Sequence, residues 1–241
     1  MNKLSFVIST YARENSTKCL VESIRKRVPE TAREIIFVSS DDPSCSKSQW
    51  LLSQTDVKVI FADIRRDKRL NSLYYYENLG IKASSHDWIF VTNDDTILQE
   101  GFYENFLRVA NDHDVILVNG HIGDVSLGAR IPVVGTLTNP QGIKRELYLY
   151  DFSLIRKEVY EKIGFLDEKL DWFGKGVDLA LTCEVQENIK ILHQSDIYVD
   201  HIISYENRNP PRCESDFSYI DKKWQLWCKK SGWIYSWPWQ C

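Results

Sequence analysis

The chain opens on an apolar run, Leu4-Ser5-Phe6-Val7-Ile8, passes through polar residues 9–16, and enters a stretch where Cys19, Leu20, Ile24 and Val28 recur at helical spacing. Short β-branched runs predict buried strands, and a period near 3.6 predicts a helix packed by one face. The grammar then repeats. Residues 34–38 read as a second strand ending in polar 39–44, a short helix surrounds 50–52, and 57–61 read as a third strand. A helix over 73–83 and a strand over 88–91 follow. Strands alternating with helices at this spacing imply βαβ crossovers, hence a mostly parallel sheet covered on both faces. Past residue 120 the pattern changes. Residues 120–142 are glycine-rich and predict irregular chain, 147–154 a strand, 156–163 a helix, 164–176 a loop, 177–185 a helix and 189–192 a strand.

Composition narrows the classes. The 241 residues are 43% hydrophobic and 27% charged, ordinary for a globular chain that can hold a single core. No linker, repeat or low-complexity stretch divides them. Lys+Arg total 30 against Asp+Glu 34, a net charge of −4, which disfavours a dedicated nucleic-acid binder because phosphate neutralisation usually requires a basic surface. Cys19, Cys45, Cys183, Cys213, Cys228 and Cys241 form neither a C-x-x-C pair nor a zinc spacing, which argues for a reducing compartment. The first apolar run is too short for a signal-peptide core and no segment is long enough to span a bilayer, so the chain reads as cytoplasmic.

In an open parallel sheet, ligands bind beyond the carboxyl ends of the strands, here the loops after Ile8, Val38 and Val91. Neither G-x-G-x-x-G nor the Walker pattern occurs, which argues against dinucleotide and P-loop chemistry. Instead the fourth strand runs straight into Asn93-Asp94-Asp95-Thr96. Adjacent carboxylates repel unless a cation or hydrogen bonds hold both charges. Two readings stand side by side: a Mn²⁺ or Mg²⁺ site, or an Asp-rich turn whose side chains cap the next helix.

The order of several such segments resembles the family 2 type of glycosyltransferase, enzymes of the GT-A (Rossmann-like) fold that use nucleotide-diphosphate sugars. The likeness runs over residues 4–205. Phe6 to Arg13 resembles the opening strand and its T-Y-N-R loop, with Ala12 where Asn is frequent; Cys19-Leu20-Val21-Glu22-Ser23-Ile24 resembles the C-L-x-S helix. Asn78-Leu79-Gly80-Ile81-Lys82-Ala83 is similar to the N-x-G-x-x-A helix, and Asn93-Asp94-Asp95-Thr96 to the D-x-D motif. Residues 155–168 are similar to the R-[RK]-x-[VA]-[FY]-x-x-[IV]-G-x-F-D-E stretch, and His201 to a late metal-side histidine. The resemblance implies Mn²⁺ (or Mg²⁺) held by Asp95 and His201. It also implies contacts to a nucleotide-sugar donor from Thr10, Tyr11, Arg13, Asp41, Asp42, Asn78, Asn93 and Asp94, with a glycan or saccharide as acceptor.

An inverting transfer needs a carboxylate base beside the acceptor hydroxyl. The loop that supplies it in the family resembles G-E-D-x-D, but here it reads Gly174-Lys175-Gly176-Val177-Asp178. Asp178 and Asp171 are the candidates, and a GT-A-like module that binds nucleotide sugar or glycan without catalysis is the alternative. The second open question is the tail. Residues 206–241 read as an extension packed on a 1–205 domain, and five of the eight tryptophans, Trp224, Trp227, Trp233, Trp237 and Trp239, crowd into it. They fit a docked core segment, a platform for an acceptor sugar, or peripheral contact with a membrane.

Overall fold

The computed structural model describes residues 2–10, 13–62, 73–122, 131, 133–170, 175–186, 188–201 and 214–236. The first half follows the strand–helix alternation: β1 (Leu4–Thr10), α1 (Glu14–Arg27), β2 (Arg33–Ser39), α2 (Ser46–Leu52), β3 (Val57–Phe61), α3 (Leu73–Ala83) and β4 (Trp88–Asn93). The second half is more broken: β5 (Thr96–Leu98), α4 (Phe102–Val109), β6 (Val115–Leu117), β7 (Asn119–Ile122), β8 (Val133–Thr138), β9 (Lys144–Tyr148) and β10 (Ser153–Arg156). After these come α5 (Lys157–Ile163), α6 (Lys175–Glu184), β11 (Ile191–Leu192), β12 (Tyr198–His201), α7 (Glu214–Ser231) and β13 (Ile234–Ser236).

The central sheet has seven strands in the order β11-β6-β10-β4-β1-β2-β3. All its pairs are parallel except those of β10, which runs antiparallel between β4 and β6. Both faces are covered, because side chains of a strand alternate in direction. Leu4, Phe6 and Ile8 of β1 and Trp88 and Phe90 of β4 meet Leu20 and Ile24 of α1 and Phe102 and Phe106 of α4. Val7, Ile89 and Val91 point the other way, into a core with Tyr74 and Ile81 of α3, Val159 and Tyr160 of α5, and Leu181 of α6. Gly80 sets how closely α3 lies on the sheet: a Cβ there would collide with Val7 Cγ1 and stand 3.2 Å from Val38 Cγ2.

Two expectations change. The glycine-rich stretch 120–142 contains the end of β7 and all of β8, and the single strand expected over 147–154 is split between β9 and β10, which belong to different sheets. β7 pairs with the distant β12, and β10 with the distant β4 and β6, contacts that no local window contains; β8 forms a local hairpin with β9 and adds the distant β13.

A separate three-stranded sheet, β5-β12-β7, sets His201 opposite Thr96. The described part of the tail packs against the core through α7. α7 buries Ile220 and Trp224 in the α3/α6 core, Trp224 meets Trp227 edge-on at 5.4 Å, and Trp227 contacts Trp233. β13 then joins β8, and the Arg145 guanidinium covers the Trp233 ring. Trp237 and Trp239 lie outside the described residues, and no described helix is long and apolar enough to cross a membrane.

One polar clamp fastens α1 to the sheet. Asp56, just before β3, accepts from Arg25 Nε at 3.1 Å and Arg33 Nη2 at 3.2 Å, and its carboxyl is held below the ordinary 3.8, at about 2, by the bonds from Arg25 above all. A lowered carboxyl stabilises the fold above its unfolded value of 3.8, and that contribution is lost as pH falls through about 2. Asp56→Asn is expected to cost about 1–2 kcal/mol at neutral pH after solvent screening. It should also remove that part of the acid-induced loss of stability, as read by urea unfolding at a series of pH values. A variant with an unchanged pH profile would show that the clamp carries none of it.

Candidate functional site at the acidic strand end

Three parallel strands deliver the site. β1 ends at Thr10, β2 runs into Asp41, and β4 ends at Asn93 with Asp94 and Asp95 in the turn to β5. Their side chains converge. Thr10 donates to Asp94 Oδ2 at 2.7 Å, and Lys47 Nζ donates to Thr10 Oγ1 at 2.8 Å while pairing with Asp41. Arg13, the residue before α1, reaches across to Asp94 at 3.3 Å and pairs with Asp95. His201 completes the group, with Nε2 at 3.0 Å from Asp95 Oδ1, and the Phe152 ring stands edge-on to the imidazole at 5.4 Å.

The group is buried: Thr10, Lys47, Asp94 and Asp95 are 5%, 3%, 4% and 1% exposed. Burial is the main force pushing the Asp94 carboxyl up to about 6; Asp95 adds to it, while Thr10, Arg13 and Lys47 oppose it. Three carboxylates, Asp41, Asp94 and Asp95, therefore face two fixed cations, Arg13 and Lys47, at the carboxyl edge of a parallel sheet. Such a site favours a further cation, with a polyanionic ligand bound through it.

The expected residues separate into those that meet here and those that do not. Thr10, Arg13, Asp41, Asp94, Asp95 and His201 come together, and Asn93 stands beside them, half-buried at the end of β4 opposite Ser9. Asp42 is exposed and accepts from Ser44 N and Oγ at 2.8 and 2.7 Å, the geometry of a local turn. Asn78 is used elsewhere: its amide donates to Leu166 O and Glu168 and accepts from Leu166 N at 3.0 Å, pinning α3 to the turn after α5. Asp178, in the first turn of α6, anchors α7, because Lys223 donates to both its oxygens at 2.8 and 2.9 Å and Trp224 Nε1 donates to Oδ1 at 2.7 Å. Tyr11 and Asp171 lie outside the described residues.

The sequence reading missed Lys47. A lone lysine in the first turn of a short helix carries no signal of its own, and only the fold shows that α2 aims it back under the loop of Asp41.

Residues 5–166 match the family model described as Glycosyl transferase family 2. No protein of curated function matches the chain in sequence. Among solved structures, S. aureus TarS 1–349 superposes with a TM-score of 0.67 at 13% identity, over 93% of this chain and 64% of that one. The same protein in complex with UDP-GlcNAc gives 0.68 at 14% identity, over 93% and 66%. GalNAc-T7 with UDP, GalNAc and Mn²⁺ gives 0.64 at 16%, over 85% and 44%. A mannosyltransferase from Pyrobaculum calidifontis in complex with GDP-Man and Mn²⁺ gives 0.65 at 12%, over 93% and 64%. The chain thus spans at most about two thirds of these proteins, and at such identities the likeness is one of fold.

The buried Lys47–Asp41 pair generates a stability prediction, since removing one partner strands the other charge. Lys47→Met should lower unfolding free energy by about 3 kcal/mol, and adding Asp41→Asn should recover a substantial part of it. Urea titrations of the four proteins in this cycle measure the coupling. Wild-type stability in Lys47→Met would show that the pair carries no net energy.

Proposed function

The chain belongs to glycosyl transferase family 2, and from that premise we propose that it moves a sugar from a nucleoside-diphosphate donor to a hydroxyl of a glycan or other saccharide, aided by a divalent cation. The observation that carries this reading is the convergence of Thr10, Arg13, Lys47, Asp94, Asp95 and His201 at the carboxyl edge of β1, β2 and β4. A donor of this kind is a polyanion with a ribose and a base. Lys47 and Arg13 supply positive charge to the phosphates, Asp94 can accept from a ribose hydroxyl, and Asp41 lies where a base leaving the end of β2 would meet it.

The donor set suits a hard or borderline cation. Carboxylate oxygen and neutral imidazole nitrogen fit Mn²⁺ better than Mg²⁺, and both ions commonly take only one or two protein carboxylates and complete their shell with phosphate and water. Among the described residues no three acidic, histidine or cysteine side chains form a preformed cage, which is in keeping with an ion that arrives with the diphosphate. Asp95 and His201 would hold it. Arg13, which now balances Asp95, would then serve Asp94 or the phosphates. When bound, the ion offsets charge developing on the departing diphosphate. Neighbouring folds in complex with UDP-GlcNAc, with UDP and Mn²⁺, and with GDP-Man and Mn²⁺ support this reading.

A second reading, binding without transfer, draws on Asp178: the carboxylate of the acidic residue left in that loop is engaged by Lys223 and Trp224 of α7. Titrating UDP, GDP and their sugars into the protein with and without Mn²⁺, and following sugar transfer to a panel of saccharides, separates the two. The expected result is Mn²⁺-dependent binding with turnover. Asp95→Asn should weaken Mn²⁺-dependent UDP binding by more than the ~10–100-fold typical of losing an outer-sphere partner, with a smaller loss for His201→Gln. Indifference of binding to Asp95→Asn would remove the metal assignment, and binding without turnover would favour the second reading.

A further inference from the structure

We propose that Asp151 is the base that takes the proton from the acceptor hydroxyl, a role that rests on the transfer reading above. Position is the first argument. β10 is antiparallel to β4, with Ser153 opposite Val91, so the residues just before Ser153 emerge at the edge where β4 delivers Asn93, Asp94 and Asp95. Phe152, next to Asp151, already touches the His201 ring at that edge.

Availability is the second. Asp94 and Asp95 are buried and paired with Arg13, and Asp178 is buried under α7, whereas Asp151 is exposed to solvent. Its carboxylate accepts the Gly176 N–H, with Lys175 and His201 nearby.

The third argument is steric. A Cβ on Gly176 would collide with Asp151 Oδ1, strike Leu149 Cδ1 at 2.8 Å and stand 3.0 Å from Asp151 N. The backbone of the two segments is joined as well, by Tyr150 N to Gly176 O at 3.2 Å. The absence of a side chain at 176 is therefore what lets the Asp151 carboxylate occupy the start of α6. The loop's own carboxylate, Asp178, is taken up by α7, and the neighbouring segment brings Asp151 to the position of Gly176.

The step balances without a further reagent. The acceptor O–H gives its proton to an Asp151 oxygen as its own oxygen bonds the anomeric carbon. The bond from that carbon to the diphosphate breaks with its electron pair, so the nucleoside diphosphate departs, the configuration inverts and the proton remains on Asp151.

Asp151→Asn tests this cleanly, because the amide keeps an oxygen for the Gly176 N–H and so preserves that bond. With UDP-GlcNAc, UDP-Glc and GDP-Man as donors, Mn²⁺, and methyl glycosides and oligosaccharides as acceptors, the variant should bind donor within about twofold of wild type. It should melt at the same temperature and transfer about 100-fold or more slowly. The acidic limb of the wild-type kcat/KM profile should vanish with it. Gly176→Ala, whose methyl displaces the carboxylate, should also lose transfer while keeping donor binding. Asp151→Asn active within about tenfold of wild type, or wild type that binds donor yet transfers nothing, would overturn the role. So would loss of transfer in Asp171→Asn with Asp151→Asn still active. If none of the three donors binds at all, the transfer reading fails first and takes this inference with it.

Discussion

Two adjacent carboxylates buried at the end of one strand cannot both stay charged without compensation, and the carboxyl edge of this molecule is organised around that constraint. Asp94 is pushed up by burial and by Asp95, and three separate segments answer it: the end of β1 with Thr10, the loop before α1 with Arg13, and the start of α2 with Lys47. β12 adds His201 from much later in the chain. None of these groups would be near the others without the parallel pairing of β1 with both β2 and β4, which aligns the three strand ends. The double-sided core of the sheet is therefore the precondition for the chemistry, since it fixes the strand ends from which the polar groups project.

The same logic explains why the C-terminal segment is aromatic. α7 has to cover the α3/α6 core, and it does so with Ile220 and Trp224, the latter also donating to Asp178. Lys223 satisfies the rest of that carboxylate and bonds Asp167 as well, so one charged side chain ties α7 to both α6 and the turn after α5. Trp227 and Trp233 continue the contact toward β8. In the described part of the tail, Trp224 is buried in its own domain, and Trp227 and Trp233 lie partly buried against the same core.

How much could be read from sequence follows from where the information lies. The strand–helix alternation of the first half was visible because each element carries its own period, and the Asn93-Asp94-Asp95 strand end was visible because charge directly follows an apolar run. β7 and the break between β9 and β10 were not, because long-range partners decide them. The site divides the same way. Thr10, Asp41, Asp94 and Asp95 sit at the ends of parallel strands, where a ligand is sought. Asp151 precedes a strand, and only the antiparallel direction of β10 turns that beginning into part of the same edge. The place of Asp178 in the loop was legible, but its partners on α7, 45 and 46 residues away, were not.

The claim on which the rest depends is that this edge holds a cation together with a diphosphate. A crystal of the protein grown with UDP and Mn²⁺, with data collected at the manganese absorption edge, tests it most directly. The account predicts an anomalous peak within bonding distance of Asp95 and His201, the diphosphate on its far side, and the Arg13 guanidinium displaced from Asp95. Ordered UDP with no manganese at Asp95, or manganese bound away from β4 and β12, would contradict it.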